Sequence, residues 1–390
     1  MKKRRIVVLL GIVVSAAMLF LSACSCSGCG NQNKGDGSDD EKYEKIDLYE
    51  GFSGKVNQWS ETLGTVKRKI PAETKNEGLS GRYPTYGTSL SDITDEEKDN
   101  ILKETSLILA SDTTYDSIGE DGTLYLKGEP TGKKLYKHTA AVGMYYGDVS
   151  DSEDGVIERV TITANEQRNF VTGIYVPAGE VVKIEISESD LAAIGGELLV
   201  YVGQVSHRNN INNIWKARND FSRMPVIANK LAVKTTTAYV GNPLGGPVFL
   251  YPSSFGKTFT VTISGGVKYA HYIHGQTTRE ETERMKNYSA PYYDFEVWDL
   301  GVRMSGPSKY GNYDYDNLVK VGDLWEKIVR TSRQVPCSAN ATIGVGYVYD
   351  CFVAAGSACA FQGGHSWINA PCSWMSDALN YDSFVENGSW

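Results

Sequence analysis

The sequence predicts an α+β protein in which a β-sandwich or jelly-roll-like half is followed by the start of a helical half. Three observations carry this. Between about 136 and 300, apolar and polar side chains alternate, as they do in half-buried strands. Gly and Pro punctuate those runs, and 40 Gly and 24 Tyr in 390 residues favour strands and turns. After about 300 the apolar spacing changes to three and four, the period of a helix. A hydrophobic content of 41% is enough to build a core, which excludes wholesale disorder.

The N-terminus reads as an address. Lys2, Lys3, Arg4 and Arg5 form a basic start, and residues 6–21 form an apolar run too short for a comfortable bilayer span. The run closes on Leu21-Ser-Ala-Cys24, which resembles the bacterial lipoprotein box. Residues 1–23 are therefore expected to be a lipoprotein signal peptide and Cys24 the lipidated residue. An ordinary signal peptide with a chance Cys is the alternative. Residues 24–45 are rich in Gly, Ser, Asn and Asp and read as a flexible tether. The expected location is the cell membrane, lipid-anchored on its extracytoplasmic face. The formal charge is −8, and the four basic residues at the start belong to the expected signal peptide. The mature surface is more acidic still, which argues against a nucleic-acid partner.

Residues 46–135 show no clear fold. Thr94-Asp-Glu-Glu97 reads as a capping box, and Ile101, Leu102, Ile108 and Leu109 predict one helix over about 94–110.

Residues 136–300 carry the β-sandwich reading. Phe259, Val261 and Ile263 alternate with Thr258, Thr260 and Thr262, and Val182, Ile184 and Ile186 repeat the pattern. Residues 157–162, 198–202 and 248–251 are further strands, separated by glycine-rich turns.

Residues 301–390 begin a helical, Cys-rich part. Leu318, Val321, Leu324, Trp325, Ile328 and Val329 lie along one face of a helix over 316–333. Cys337, Cys351, Cys359 and Cys372 are candidates for two disulfides in an oxidising compartment. A zinc cluster is the runner-up. Their spacings contain no C-x-x-C pair.

The five histidines include no H-E-x-x-H. His271 and His274 stand three apart in a predicted strand, so they point to opposite faces and do not easily share one metal. There is no G-x-S-x-G elbow, and Ser254-Phe-Gly-Lys257 sits in a turn rather than opening a helix. Catalytic and metal residues are therefore expected to be absent from these 390 positions. Exposed Trp and Tyr rings offer planes on which sugars stack. Trp367 and Trp374 are the candidates for that role, although core packing claims most aromatics.

Several segments in order then resemble one family. They are Gly173-Ile-Tyr-Val-Pro-Ala-Gly179, Leu199-Val-Tyr-Val-Gly203, Asn242-Pro-Leu-Gly-Gly-Pro247, Ser264-Gly-Gly-Val267 and Tyr288-Ser-Ala-Pro291. Together they resemble the enhancin-like zinc metallopeptidases, the M-sixty peptidases, many of which cleave mucin-type glycoproteins. The resemblance implies a β-rich half followed by a helical peptidase half bearing H-E-x-x-H, whose zinc lowers the pKa of a bound water. The stretch from Trp374 to Trp390 looks like the approach to that motif, and the motif itself is not among these residues. Zinc is thus expected only where the protein continues past Trp390. The implied partner is a glycoprotein or glycan, with a non-catalytic glycan-binding lipoprotein as the alternative.

Overall fold

The computed structural model describes residues 58–71, 74–75, 94, 96, 114–126, 128, 130–138, 141, 147, 149–165, 168–204, 228–333, 345–350, 359–361 and 366–387. The expected signal peptide, tether and Cys24 lie outside them. So does most of the helix expected over 94–110, of which Glu96 has helical backbone.

Two five-stranded sheets form a sandwich. The first has the order β1-β6-β13-β8-β11, where β1 is Gln58–Val66, β6 Gly155–Ala164, β8 Val181–Ile186, β11 Thr237–Gly241 and β13 Lys257–Ser264. The second has the order β10-β9-β12-β7-β14, where β7 is Phe170–Val176, β9 Leu198–Val202, β10 Asn229–Val233, β12 Gly246–Pro252 and β14 Val267–Lys268. Four two-residue strands precede or flank the sandwich: β2 (Thr74–Lys75), β3 (Ser117–Ile118), β4 (Leu124–Tyr125) and β5 (Lys137–His138).

The period-two pattern explains this packing. Phe259, Val261 and Ile263 of β13 and Val182, Ile184 and Ile186 of β8 enter one core. Leu198, Val200 and Val202 meet them from the second sheet. On the outer face Thr161 and Thr163 hydrogen-bond their register partners Thr260 and Thr258.

Some of the family-like segments run into turns where glycine is required. Gly179 has φ +75°, and a Cβ there would come 2.4 Å from the carbonyl carbon of Tyr136. Gly179→Ala should therefore lower stability by about 2–3 kcal/mol, from left-handed strain plus a backbone clash. Urea denaturation checks this, and an unchanged midpoint would remove the structural reason for that glycine.

A third, mixed sheet follows, in the order β15-β16-β17-β18-β20-β19. Its strands are β15 (Ala270–Ile273), β16 (Tyr292–Val297), β17 (Val302–Pro307), β18 (Val345–Asp350), β19 (Cys359–Phe361) and β20 (Ser366–Pro371). This sheet runs across residue 300, so the C-terminal part holds strands as well as the expected helix. That helix spans Tyr315–Arg333 and presses Leu318, Val321, Trp325 and Val329 onto one face of the sheet. Helices Glu188–Ala193, Arg279–Met285, Trp374–Ala378 and Tyr381–Asn387, with the 3-10 turns Trp298–Leu300 and Ser308–Tyr310, complete the described elements. Among them, Arg279–Met285 opens with a full capping box from Thr278 and Glu281.

Candidate functional site

The third sheet is covered on both faces, and its strands alternate between two environments. Ala270, Tyr272, Phe295, Val297, Val302 and Met304 turn to the helix Tyr315–Arg333 and form an apolar core with it. The intervening residues His271, Asp294, Glu296, Arg303 and Ser305 turn to the sandwich. This second set is polar and almost wholly buried.

Register aligns that polar face. Asp294 lies opposite both His271 and Ser305, and Glu296 lies opposite Arg303. Tyr269 donates to Asp294 Oδ2 at 2.6 Å, and Ser305 donates to its other oxygen. His271 Nε2 meets Glu296 Oε2 at 2.8 Å. The Arg303 guanidinium stacks 4.5 Å from the ring centroid of Phe249, and one of its NH2 groups donates to the Asn169 carbonyl. Arg168 lies 4.1 Å over the Trp298 ring.

Electrostatics separates the two acids. Burial pushes Asp294 up to about 6, against the pull of Arg303, His271 and its two hydroxyl donors. Burial also pushes on Glu296. The hydrogen bond and charge of His271, with the charges of Arg168 and Arg303, outweigh it and hold Glu296 below its ordinary value. A nucleophile needs a base beside it. Here the Ser305 hydroxyl donates to a carboxylate, and Asp294 and Glu296 are sealed between two layers. The arrangement is a clasp between sandwich and sheet.

His274 leaves the sheet on the opposite side. Its backbone N–H donates to the Glu296 carbonyl, which fixes the residue at the end of β15. Its Nε2 stands 3.2 Å from Asp323 Oδ1 and 4.0 Å from Glu326 Oε2, both on the helix Tyr315–Arg333. The two histidines thus point apart, as their spacing predicts, and each has its own carboxylate partner. They do not fit the paired ligands of a helical zinc motif. Two residues before His274, Tyr272 is buried, and its hydroxyl is pushed well above its ordinary value by burial, then by Tyr315 and Asp323.

The other candidates from sequence fall as follows. Cys337 and Cys351 lie outside the described residues. Cys359 opens β19 and Trp367 lies in β20, but the side chains of both are outside the description. Cys372 is buried, and Trp374 is half-buried against the core beneath the long helix. The aromatics Tyr269, Tyr272 and Trp298 are core residues. Sequence reading missed Asp294, Glu296, Arg303, Asp323 and Glu326, because their partners lie far away along the chain.

Residues 154–264 match the family model for the N-terminal domain of M60-like peptidases. Residues 265–390 match the model for peptidase M60, enhancin and enhancin-like. Residues 154–390 belong to the M60 peptidase family. The junction between the two M60 matches falls on the Gly265-Gly266 turn, where the chain leaves β13 for β14.

Over 115 residues, 29% of this chain, the protein is 27% identical to TRPM8 channel-associated factor 1 of Bos taurus, and that stretch covers 12% of the bovine protein. The structure of IMPa from Pseudomonas aeruginosa, solved with an O-glycopeptide, is 14% identical with a TM-score of 0.47. The match covers 75% of this chain and 34% of IMPa. A metallopeptidase from Bacteroides thetaiotaomicron is 11% identical with a TM-score of 0.42, over 58% of this chain and 38% of that one. This chain spans well under half the length of each of these proteins.

Proposed function

We propose that this protein is a lipid-anchored, outward-facing member of the M60 peptidases that engages glycoproteins such as mucins, with residues 154–390 serving as scaffold for the peptidase. The observation that carries this reading is the pair of consecutive M60 matches, which together span the sandwich and the third sheet. The sequence contains no H-E-x-x-H, so no residue here is assigned as a catalytic ligand or base. Glycoprotein engagement is consistent with Trp59, 46% exposed on edge strand β1 beside Thr161 of β6 and Thr260 of β13. An exposed indole flanked by hydroxyls suits the apolar face and polar rim of a sugar ring.

The test is retention of a mucin-type glycoprotein and of its deglycosylated form by the purified chain. Preferential retention of the glycosylated form, without cleavage, is expected. Equal retention of both, or of neither, would remove the glycoprotein reading. Chelator-sensitive cleavage by these 390 residues alone would show that a catalytic ligand set lies within them.

The anchor has its own test. No helix among the described residues is long and apolar enough to cross a membrane. In Cys24→Ser the thioether lipid cannot form, and the protein should move from the membrane pellet to the soluble fraction. Unchanged fractionation and lipid labelling would count against the lipoprotein box.

A further inference from the structure

We infer that His274, Asp323 and Glu326 form a binding site for a first-row divalent cation of the zinc and cobalt class, clamping the end of β15 to the long helix. One nitrogen of His274 and one oxygen from each carboxylate all lie within 4.8 Å of one another. The Nε2–Oδ1 and Nε2–Oε2 separations of 3.2 and 4.0 Å bracket the roughly 3.3–3.5 Å between ligands around a tetrahedral ion with bonds of about 2.0–2.1 Å.

Each ligand is aimed by its surroundings. Asp323 and Glu326 are three apart on the helix, so their side chains share one face. Arg330 Nε holds Glu326 Oε1 at 2.7 Å, which leaves Oε2 turned to His274. Gly322 makes room for the imidazole: a Cβ there would come 2.1 Å from His274 Nδ1. A glycine inside a helix costs about 1 kcal/mol relative to alanine, and this close approach is a reason for it.

A buried polar atom near the site lacks a hydrogen-bond partner among the described residues. It is the hydroxyl of Tyr272, which is 1% exposed, shares the face of β15 that leads to His274 and feels the charge of Asp323. The ion pair alone leaves it unsatisfied. Three protein ligands leave a position for water on the ion, and such a water is a partner that a buried hydroxyl can use.

The donor set fixes the class. Two carboxylates and a neutral imidazole bring two negative charges, which a dication balances. Imidazole favours zinc and its neighbours, whereas all-oxygen sites favour calcium and magnesium. The set differs from a helical histidine pair and has no glutamate placed as a base, so the site is a clamp and leaves the proposed peptidase chemistry untouched.

The experiment titrates Co2+ into the full chain carrying Cys24→Ser, Cys26→Ser and Cys29→Ser, which removes the tether thiols, and follows the visible d–d absorption. One equivalent should bind saturably at micromolar concentration, without a thiolate charge-transfer band, and Zn2+ should displace it. Asp323→Asn and Glu326→Gln, both at exposed or half-exposed positions, should each weaken binding at least about tenfold while melting normally in chelator. His274→Ala should abolish it. Absence of saturable binding, binding unchanged in both carboxamide variants, or a thiolate band in place of the d–d signal would overturn the inference.

Discussion

Glu296→Ala should destabilise the protein by about 3–5 kcal/mol, the range found when one partner of a buried ion pair is removed. Glu296 is 1% exposed and receives His271, and the charges of Arg168 and Arg303 act on it from the same buried layer. The alanine leaves those cations facing a low-dielectric gap. Glu296→Gln keeps the volume and can still accept from His271, so it should cost less. Urea unfolding of both variants at neutral pH checks the ranking. A loss below about 1 kcal/mol in Glu296→Ala would mean that the clasp is no more than a surface-like pairing.

The two buried acids respond to pH with opposite signs. Glu296 is held below its ordinary value, so its contribution is present above the unfolded pKa and is lost as pH falls through the folded one. Asp294 is raised from 3.8 to about 6, so the native state binds a proton more tightly than the unfolded chain between those values. Its contribution therefore falls as pH rises from about 4 to 6 and is gone above that window. Asp294→Asn should remove that falling component from a plot of melting temperature against pH.

Strands β8 and β13 of the sandwich are legible in the sequence because they are partly exposed on one side. Thr258, Thr260 and Thr262 against Phe259, Val261 and Ile263 is a pattern that solvent itself imposes. The helix over 315–333 is legible for the same reason. The third sheet is not, because it is covered on both faces. In Tyr292–Val297 the polar members Asp294 and Glu296 read as solvent-facing, yet they are buried beside residues 168, 269, 271, 303 and 305. In Val302–Pro307 the sequence Val-Arg-Met-Ser-Gly-Pro ends in two turn-forming residues and does not read as a strand at all. The cation clamp is hidden for a similar reason. Its histidine and carboxylates are about 50 residues apart, and ligand motifs recognised by spacing find only neighbours on one element.

Trp298→Ala should cost a further 3–5 kcal/mol or so, the usual result of emptying a buried aromatic site. Trp298 follows β16 directly and opens a single turn of 3-10 helix closed by Gly301 in the left-handed region. It belongs to the third sheet by sequence but packs in the sandwich core, 5.6 Å from the Phe170 ring. Its outer face carries the Arg168 guanidinium, which also acts on Glu296. Removing the indole therefore opens a cavity and frees the cation that helps to hold the buried carboxylate. If Arg168 joins the two, Trp298→Ala and Glu296→Ala cannot be independent. The double variant should lose less than the sum of the single losses, with a coupling of about 0.5–3 kcal/mol. Additivity within about 0.5 kcal/mol would mean that the ring and the carboxylate hold sandwich and sheet together separately, and that Arg168 only covers the indole.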